Sequence, residues 1–222
     1  MLTTLERNHL TTQFPELEPE SVTKRLGMGI EKVTFAFRAG VMKLLRKDTQ
    51  SDVMSRFVSP LFTTPVDDMK RDTDMSVEYF GEETVLVPQI IRASQSDAYA
   101  LLQDKLSEIQ ILTPDLCIAH PELLEQLKDL LERNQKLKTD RNRFFDFQGW
   151  DLWRIITNQI AMGNLAVVWD AERKNPKLKM FDLTLMHTPG FSANGIIHAP
   201  GYLSNERNNH RMVTTAEHAL TA

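Results

Sequence analysis

The residues of this chain that could do chemistry fall at three places. Gly27-Met28-Gly29 lies between two alternating apolar runs. Glycines there let the backbone pass close to a phosphate and aim amide hydrogens at it, although the same residues also serve as plain turn formers. Lys43 sits inside Val41-Met42-Lys43-Leu44-Leu45. An ammonium in an apolar strand must reach a carboxylate, a phosphate, or the solvent on the strand's polar side. Asn164 and Asp182 flank a predicted hairpin, with Gly163-Asn164 opening one strand and Phe181-Asp182 closing the other. That brings two oxygen ligands to one edge, and a magnesium ion bridging phosphates takes few, hard oxygen donors. Capping a turn and ending a strand are the ordinary alternatives for the two residues.

Positioning these groups requires a β-rich first half. Val33, Phe35 and Phe37 alternate with Thr34, Ala36 and Arg38, as in a strand with one buried face. Arg38-Ala39-Gly40 is a compact turn, Val41 to Leu45 returns as the second strand, and a third strand ends near Leu26. Residues 1–20 read as a polar lead-in with two prolines and room for a short helix. Ser51 to Phe62 reads as a short helix. Asp67 to Phe80 reads as a longer one, acidic in its first turn and stopped by Gly81. Thr84 to Ile91 and Ala98 to Lys105 read as strands, with Pro88 marking a bulge or edge.

The second half reads differently. Leu123, Leu124, Leu127, Leu130 and Leu131 share one face of a helix that starts at Pro121. Arg143 to Phe147 reads as a short strand, and the hairpin of Asn164 and Asp182 follows. Residues 187–222, rich in Gly, Pro, Asn and His, read as loop. The boundary between the halves is expected near Leu112-Thr113-Pro114.

A net charge of −4 and a pI near 5.9 argue against a general nucleic-acid binder. No apolar run approaches the roughly 18 residues that span a bilayer. Cys117 is the only cysteine, so no internal disulfide forms, and the start lacks the build of a secretory signal. A cytoplasmic protein without membrane or nucleic-acid partners is therefore expected. His187, His198, His210 and His218 are too dispersed to suggest a metal site. Trp150, Trp153 and Trp169 read as core more readily than as a stacking surface.

Taken in order, these elements resemble the protein-kinase fold from Val22 to about Met186. RLGMGIEKVTFAF looks like the kinase glycine-rich loop and its following strand, with Lys32 in the third glycine position. VMKLL looks like the strand bearing the phosphate-binding lysine. LLQDKL is similar to the interlobe hinge, NLAVV to the end of the catalytic loop, and MFDLT to the start of the activation segment. The resemblance implies an α+β, two-lobed protein-kinase-like fold, with a β-rich N-lobe over 21–112 and a truncated, mainly helical C-lobe over 113–186. It implies ATP and Mg2+ as cofactors. Gly27, Gly29 and Lys43 would meet phosphates, the backbone of Gln103 to Lys105 would meet the adenine edge, and Asn164 and Asp182 would hold the metal.

The departures are equally specific. The catalytic base belongs five residues before the Asn, where this chain has Gln159. The nearest acidic candidates are Asp151 and Asp146; Asp146 is assigned as the substrate-orienting base, against the alternative of a strand-end Asp paired with Arg141 or Arg143. The lysine's helix partner would be Asp68, Asp72 or Glu78, with no Glu at mid-helix. About 40 residues follow Asp182, too few for the usual substrate platform. The expected function is phosphotransfer from ATP to a small-molecule or protein hydroxyl. A pseudokinase acting as an interaction module and an unrelated α+β domain are the competing readings.

Overall fold

An apolar residue at every second position gives Lys32–Phe37 one strongly apolar face, and the rest of its sheet is built around burying that face. The computed structural model describes residues 2–28, 31–106, 110–149, 159–170, 172, 174–189 and 193–221, and the chain is α+β. It divides into two compact units, Met1–Arg71 with Val87–Lys105, and Asp72–Leu86 with Leu106–Ala222.

In the first unit the chain runs through α1 (Thr4–Gln13), β1 (Val22–Met28), β2 (Lys32–Phe37), β3 (Gly40–Leu45) and α2 (Arg46–Thr49). A π-helical turn (Met54–Val58) leads into α3 (Ser59–Phe62) and the first turns of α4 (Val66–Phe80), before β4 (Gln89–Arg92) and β5 (Tyr99–Asp104). The five strands pair antiparallel in the order β1-β2-β3-β5-β4. One face, with Val33, Phe35, Phe37, Met42, Leu44 and Ala100, packs under Leu10, Phe14 and Leu17. The opposite face, with Leu45, Tyr99 and Leu101, meets Val66 and Met69 of α4.

The expected lead-in over 1–20 is thus part of the core. Its helix opens on a capping box: Glu6 N donates to Thr3 Oγ1 at 3.2 Å, and Thr3 N donates to Glu6 Oε2 at 2.6 Å. Glu6 is fully buried, and its other oxygen accepts from Gln50 Nε2 at 2.8 Å and from the Arg25 guanidinium. One carboxylate therefore joins α1, β1 and the residue after α2.

The second unit holds the later turns of α4, β6 (Gln110–Leu112), α5 (Pro114–Ala119), α6 (Pro121–Arg141), β7 (Arg143–Phe145), β8 (Met162–Val168), β9 (Lys177–Met180), β10 (Leu185–His187) and α7 (Ala193–Thr221). Leu123, Leu124, Leu127 and Leu130 of α6 face a core that includes Phe145, Phe147, Leu165, Val167 and Met180. β8 pairs with β9 on one side and β6 on the other, and β7 pairs with β10. Buried Asn134 of α6 serves as a one-residue strand partner: Phe145 N donates to its Oδ1 at 2.8 Å, and its Nδ2 donates to Phe145 O at 3.0 Å.

Three expectations need correction. The tail expected as loop over 187–222 carries a helix instead: α7 covers Ala193–Thr221, with Pro200 within it. From Gly201 on, its buried positions follow helical spacing, but asparagines occupy Asn205, Asn208 and Asn209, so an apolar stripe is hard to see in the sequence. Thr84 to Ile91 is not one strand. Only Gln89–Arg92 is, whereas Thr84 and Leu86 exchange 2.8 Å backbone bonds with Met180 on the other side of Pro88. Gln110–Leu112, assigned to the first half on composition, pairs with β8.

Two substitutions test this account. Glu6→Ala strips a buried carboxylate from Arg25, Gln50 and the helix cap, and should cost about 2–4 kcal/mol by urea denaturation. Asn134→Leu keeps the branched shape but leaves Phe145 N and O without their α6 partner, and should cost roughly 2 kcal/mol. A loss below about 0.5 kcal/mol, the level of an ordinary surface change, would refute either assignment.

Candidate functional site

The second unit builds its polar centre where β7 ends. Asp146-Phe147-Gln148-Gly149 turns back on itself: Gln148 N donates to Asp146 Oδ1 at 3.0 Å, and Gly149 N also donates to that carboxylate. Gly149 has φ +69°, and a Cβ there would lie 2.8 Å from Asn164 Oδ1. Only glycine suits both the left-handed backbone and the close approach. Asn164, at the start of β8, donates from Nδ2 to Asp146 O at 2.7 Å. Backbone bonds complete the lacing, Gly163 N to Gln148 O at 2.8 Å and Asn164 N to Phe147 O at 3.1 Å.

Asp182 arrives from the other strand of the hairpin. Leu165 is paired with Met180, so Asn164 and Asp182 lie at the same end of β8–β9. Asp182 is half-buried, and its charge acts on Asp146. Asp146 is 5% exposed, and its carboxyl is pushed up to about 6. Burial is the main cause, and the neighbouring Asp182 adds to it. The N–H groups of Gly149 and Gln148 pull the other way.

The structure thus brings Asp146, Asn164 and Asp182 together. With Nδ2 of Asn164 committed to a carbonyl, its Oδ1 is the amide's remaining acceptor. Two carboxylates and one amide oxygen are the hard donors magnesium takes. Among the described residues no group of three His, Cys, Asp or Glu could hold a metal.

Other expected site residues lie in the first unit. Lys43 is 8% exposed on β3, opposite Thr34 and Leu101, on the sheet face that α4 covers. Lys32, in the third glycine position, lies on the same face, 2.5 Å from Glu31. Gly27 lies within β1 across from Thr34, and a Cβ there would meet nothing within 4 Å, so packing does not demand glycine. Gln103 is buried in β5 opposite Val41, and its carbonyl oxygen would lie 2.6 Å from a Cβ on Gly40. Lys105 is exposed just past β5. Gly29, Asp151, Trp150 and Trp153 lie outside the described residues.

The acidic residues of α4 have partners of their own. Asp68 pairs with Arg71 at 2.7 Å and Glu78 with Arg141 at 3.3 Å. Asp72, 1% exposed, accepts from Leu185 N at 3.2 Å and faces Arg143 at 3.9 Å. Arg141 and Arg143, the alternative partners for Asp146, are therefore engaged elsewhere. Gln159 is exposed, three residues before β8. Trp169 packs against the core as expected, its Nε1 donating to Gln110 Oε1 at 3.0 Å.

Sequence reasoning missed Gly149 and Gln148. The available signal was an Asp followed three residues later by Gly, the pattern of a turn in which an Asp side chain caps the backbone two residues on. Comparison with known proteins adds nothing to this site, because no family model, no curated protein and no solved structure matches the chain.

The raised carboxyl has a consequence for stability. Between about pH 4 and pH 6 the folded chain keeps a proton on Asp146 that the unfolded chain has released. Stability from this site is therefore fullest at acid pH and is lost as pH rises through about 6. Asp146→Asn cannot titrate. Relative to it, the wild type should lose on the order of 2–3 kcal/mol between pH 4 and pH 7 in paired denaturation curves. A pH-independent difference would place this carboxyl at its ordinary value.

Proposed function

We propose that this chain is a kinase-like protein that binds ATP with magnesium and transfers the γ-phosphoryl group to a hydroxyl acceptor, on a reduced two-lobed variant of the protein-kinase fold. The observation that carries the reading is the convergence of Asp146, Asn164 and Asp182 on one loop and one hairpin end, with the Asn164 amide on the Asp146 carbonyl. A buried lysine on β3 of a five-stranded antiparallel sheet supports it further.

In this reading Asn164 and Asp182 hold the magnesium ion, which supplies neutralisation of phosphate charge. Lys43 binds the α and β phosphates, and Gly27 and Gly29 give the backbone room beside them. The backbone of Gln103 to Lys105 meets the base. Asp146 orients the acceptor hydroxyl and takes its proton. Rate enhancement then comes from positioning and electrostatic stabilisation, since phosphoryl transfer asks little covalent chemistry of the protein.

A second reading, a nucleotide-binding pseudokinase acting as an interaction module, is favoured by one feature. The Asp146 carboxylate is 5% exposed and spends acceptor capacity on its own loop's N–H groups.

The two are separated by one pair of measurements on the full chain. ATP with magnesium at 100 times its Kd should stabilise the fold by about 2.7 kcal/mol, and Asp182→Ala should abolish the magnesium-dependent share. Turnover of γ-labelled ATP with hydroxyl acceptors, lost in Asp146→Ala, then marks the enzyme. Stabilisation without turnover marks the pseudokinase, and no stabilisation by ATP with magnesium overturns both.

A further inference from the structure

The last helix reaches the Asp146 loop with polar side chains. Ser204 Oγ donates to Gln148 Oε1 at 2.8 Å. Asn205 Nδ2 donates to Phe145 O at 3.4 Å, and Asn208 Nδ2 donates to Ala161 O at 3.0 Å while touching the Met162 sulfur at 3.6 Å. Phe145 immediately precedes Asp146, and Gln148 donates its N–H to the Asp146 carboxylate. Ala161 and Met162 lead directly into Gly163 and Asn164. One stretch of α7 therefore grips both ends of the segment that separates the candidate base from the candidate metal ligand.

Packing alone does not account for this choice of residues. Asn205 and Asn208 are 0% and 5% exposed, where an apolar side chain would bury more favourably. Buried amides persist where they satisfy backbone groups: Asn208 satisfies Ala161 O, and Asn205 adds a second donor to Phe145 O, which Asn134 already holds. The helix is itself pinned against the unit. The Tyr202 ring meets Phe144 edge-on at 5.2 Å and lies under the Lys138 ammonium, which also pairs with Glu206. Further along, Glu217 pairs with Lys128 of α6 at 2.9 Å.

We propose that α7 is the positioning element of this site: Ser204, Asn205 and Asn208 set the separation between the loop carrying Asp146 and the start of β8 carrying Asn164. Through those two residues α7 fixes the geometry that Asp182 completes. The cluster depends on α7 whichever ligand it takes, so the inference reaches beyond the phosphotransfer reading.

Amide hydrogen exchange on the full chain tests it without metal or nucleotide, which keeps its failure separate from failure of the functional reading. Ser204→Ala should raise exchange at the amides of Gln148, Gly163 and Asn164 roughly three- to tenfold, the effect of one hydrogen bond. Val167 and Met180, in the β8–β9 pair, should stay protected. Gln148→Ala removes the same bond from the loop side and should give the same pattern at Gly163 and Asn164, and the double variant should exceed neither single one. Ser204→Thr, which keeps the hydroxyl, should restore wild-type exchange. Unchanged exchange at the three amides, an equal rise at Val167 and Met180, or additive effects in the double variant would each overturn the proposal.

Discussion

The second unit depends on one lacing of the chain, the Asn164 amide on the Asp146 carbonyl, made possible by the missing Cβ of Gly149. It joins the exit of β7 to the entry of β8, and the flanking backbone bonds from Gly163 and Asn164 keep the two segments in register. Once β8 is fixed, its pairing with β9 delivers Asp182 to the same end. The arrangement is costly. It holds one carboxyl out of water beside another, and both burial and the neighbouring Asp182 push the Asp146 carboxyl above its ordinary range. Strained electrostatics of this kind collect at functional sites, which is why this cluster, rather than the larger apolar core, carries the proposed function.

The first unit solves a different problem. Its sheet has two faces to cover: α1 with the residues that follow it takes one, and the early turns of α4 the other. A helix laid on a sheet needs a fixed angle, and the buried Glu6 carboxylate supplies it by holding Arg25 of β1 and Gln50 along with its own helix cap. Lys43 lies on the α4 side of the sheet, among Leu45 and Leu101. A buried ammonium requires compensation from charges or dipoles around it, so its place on that face is more constrained than that of the exposed Lys105.

α7 shows how a polar helix can be an interior one. Its buried face carries Asn205, Asn208, Asn209, Met212 and Ala216, so only part of that face gains from the hydrophobic effect. Asn205 and Asn208 instead donate to backbone carbonyls of the chain they cover, as Asn134 does from α6. A core satisfied by amides has fewer acceptable arrangements than one filled by leucines, because hydrogen bonds are directional and an unmet buried amide is expensive. That directionality suits a site whose parts must stay within bonding distance.

Local periodicity alone determined the strands Lys32–Phe37 and Gly40–Leu45, the leucine face of α6, and the hairpin end shared by Asn164 and Asp182. In each case a repeat of two or about three and a half residues reports directly which face must be buried, or a short turn sets the pairing. Tertiary structure alone decided that Asp146, 18 residues before Asn164, lies against it, that Gln110–Leu112 joins β8, and that the Gly-, Pro- and Asn-rich tail forms a helix. These depend on hydrogen bonds between segments far apart along the chain. Such bonds repay the entropy of closing their loops only when the whole unit is assembled, and no local pattern announces them.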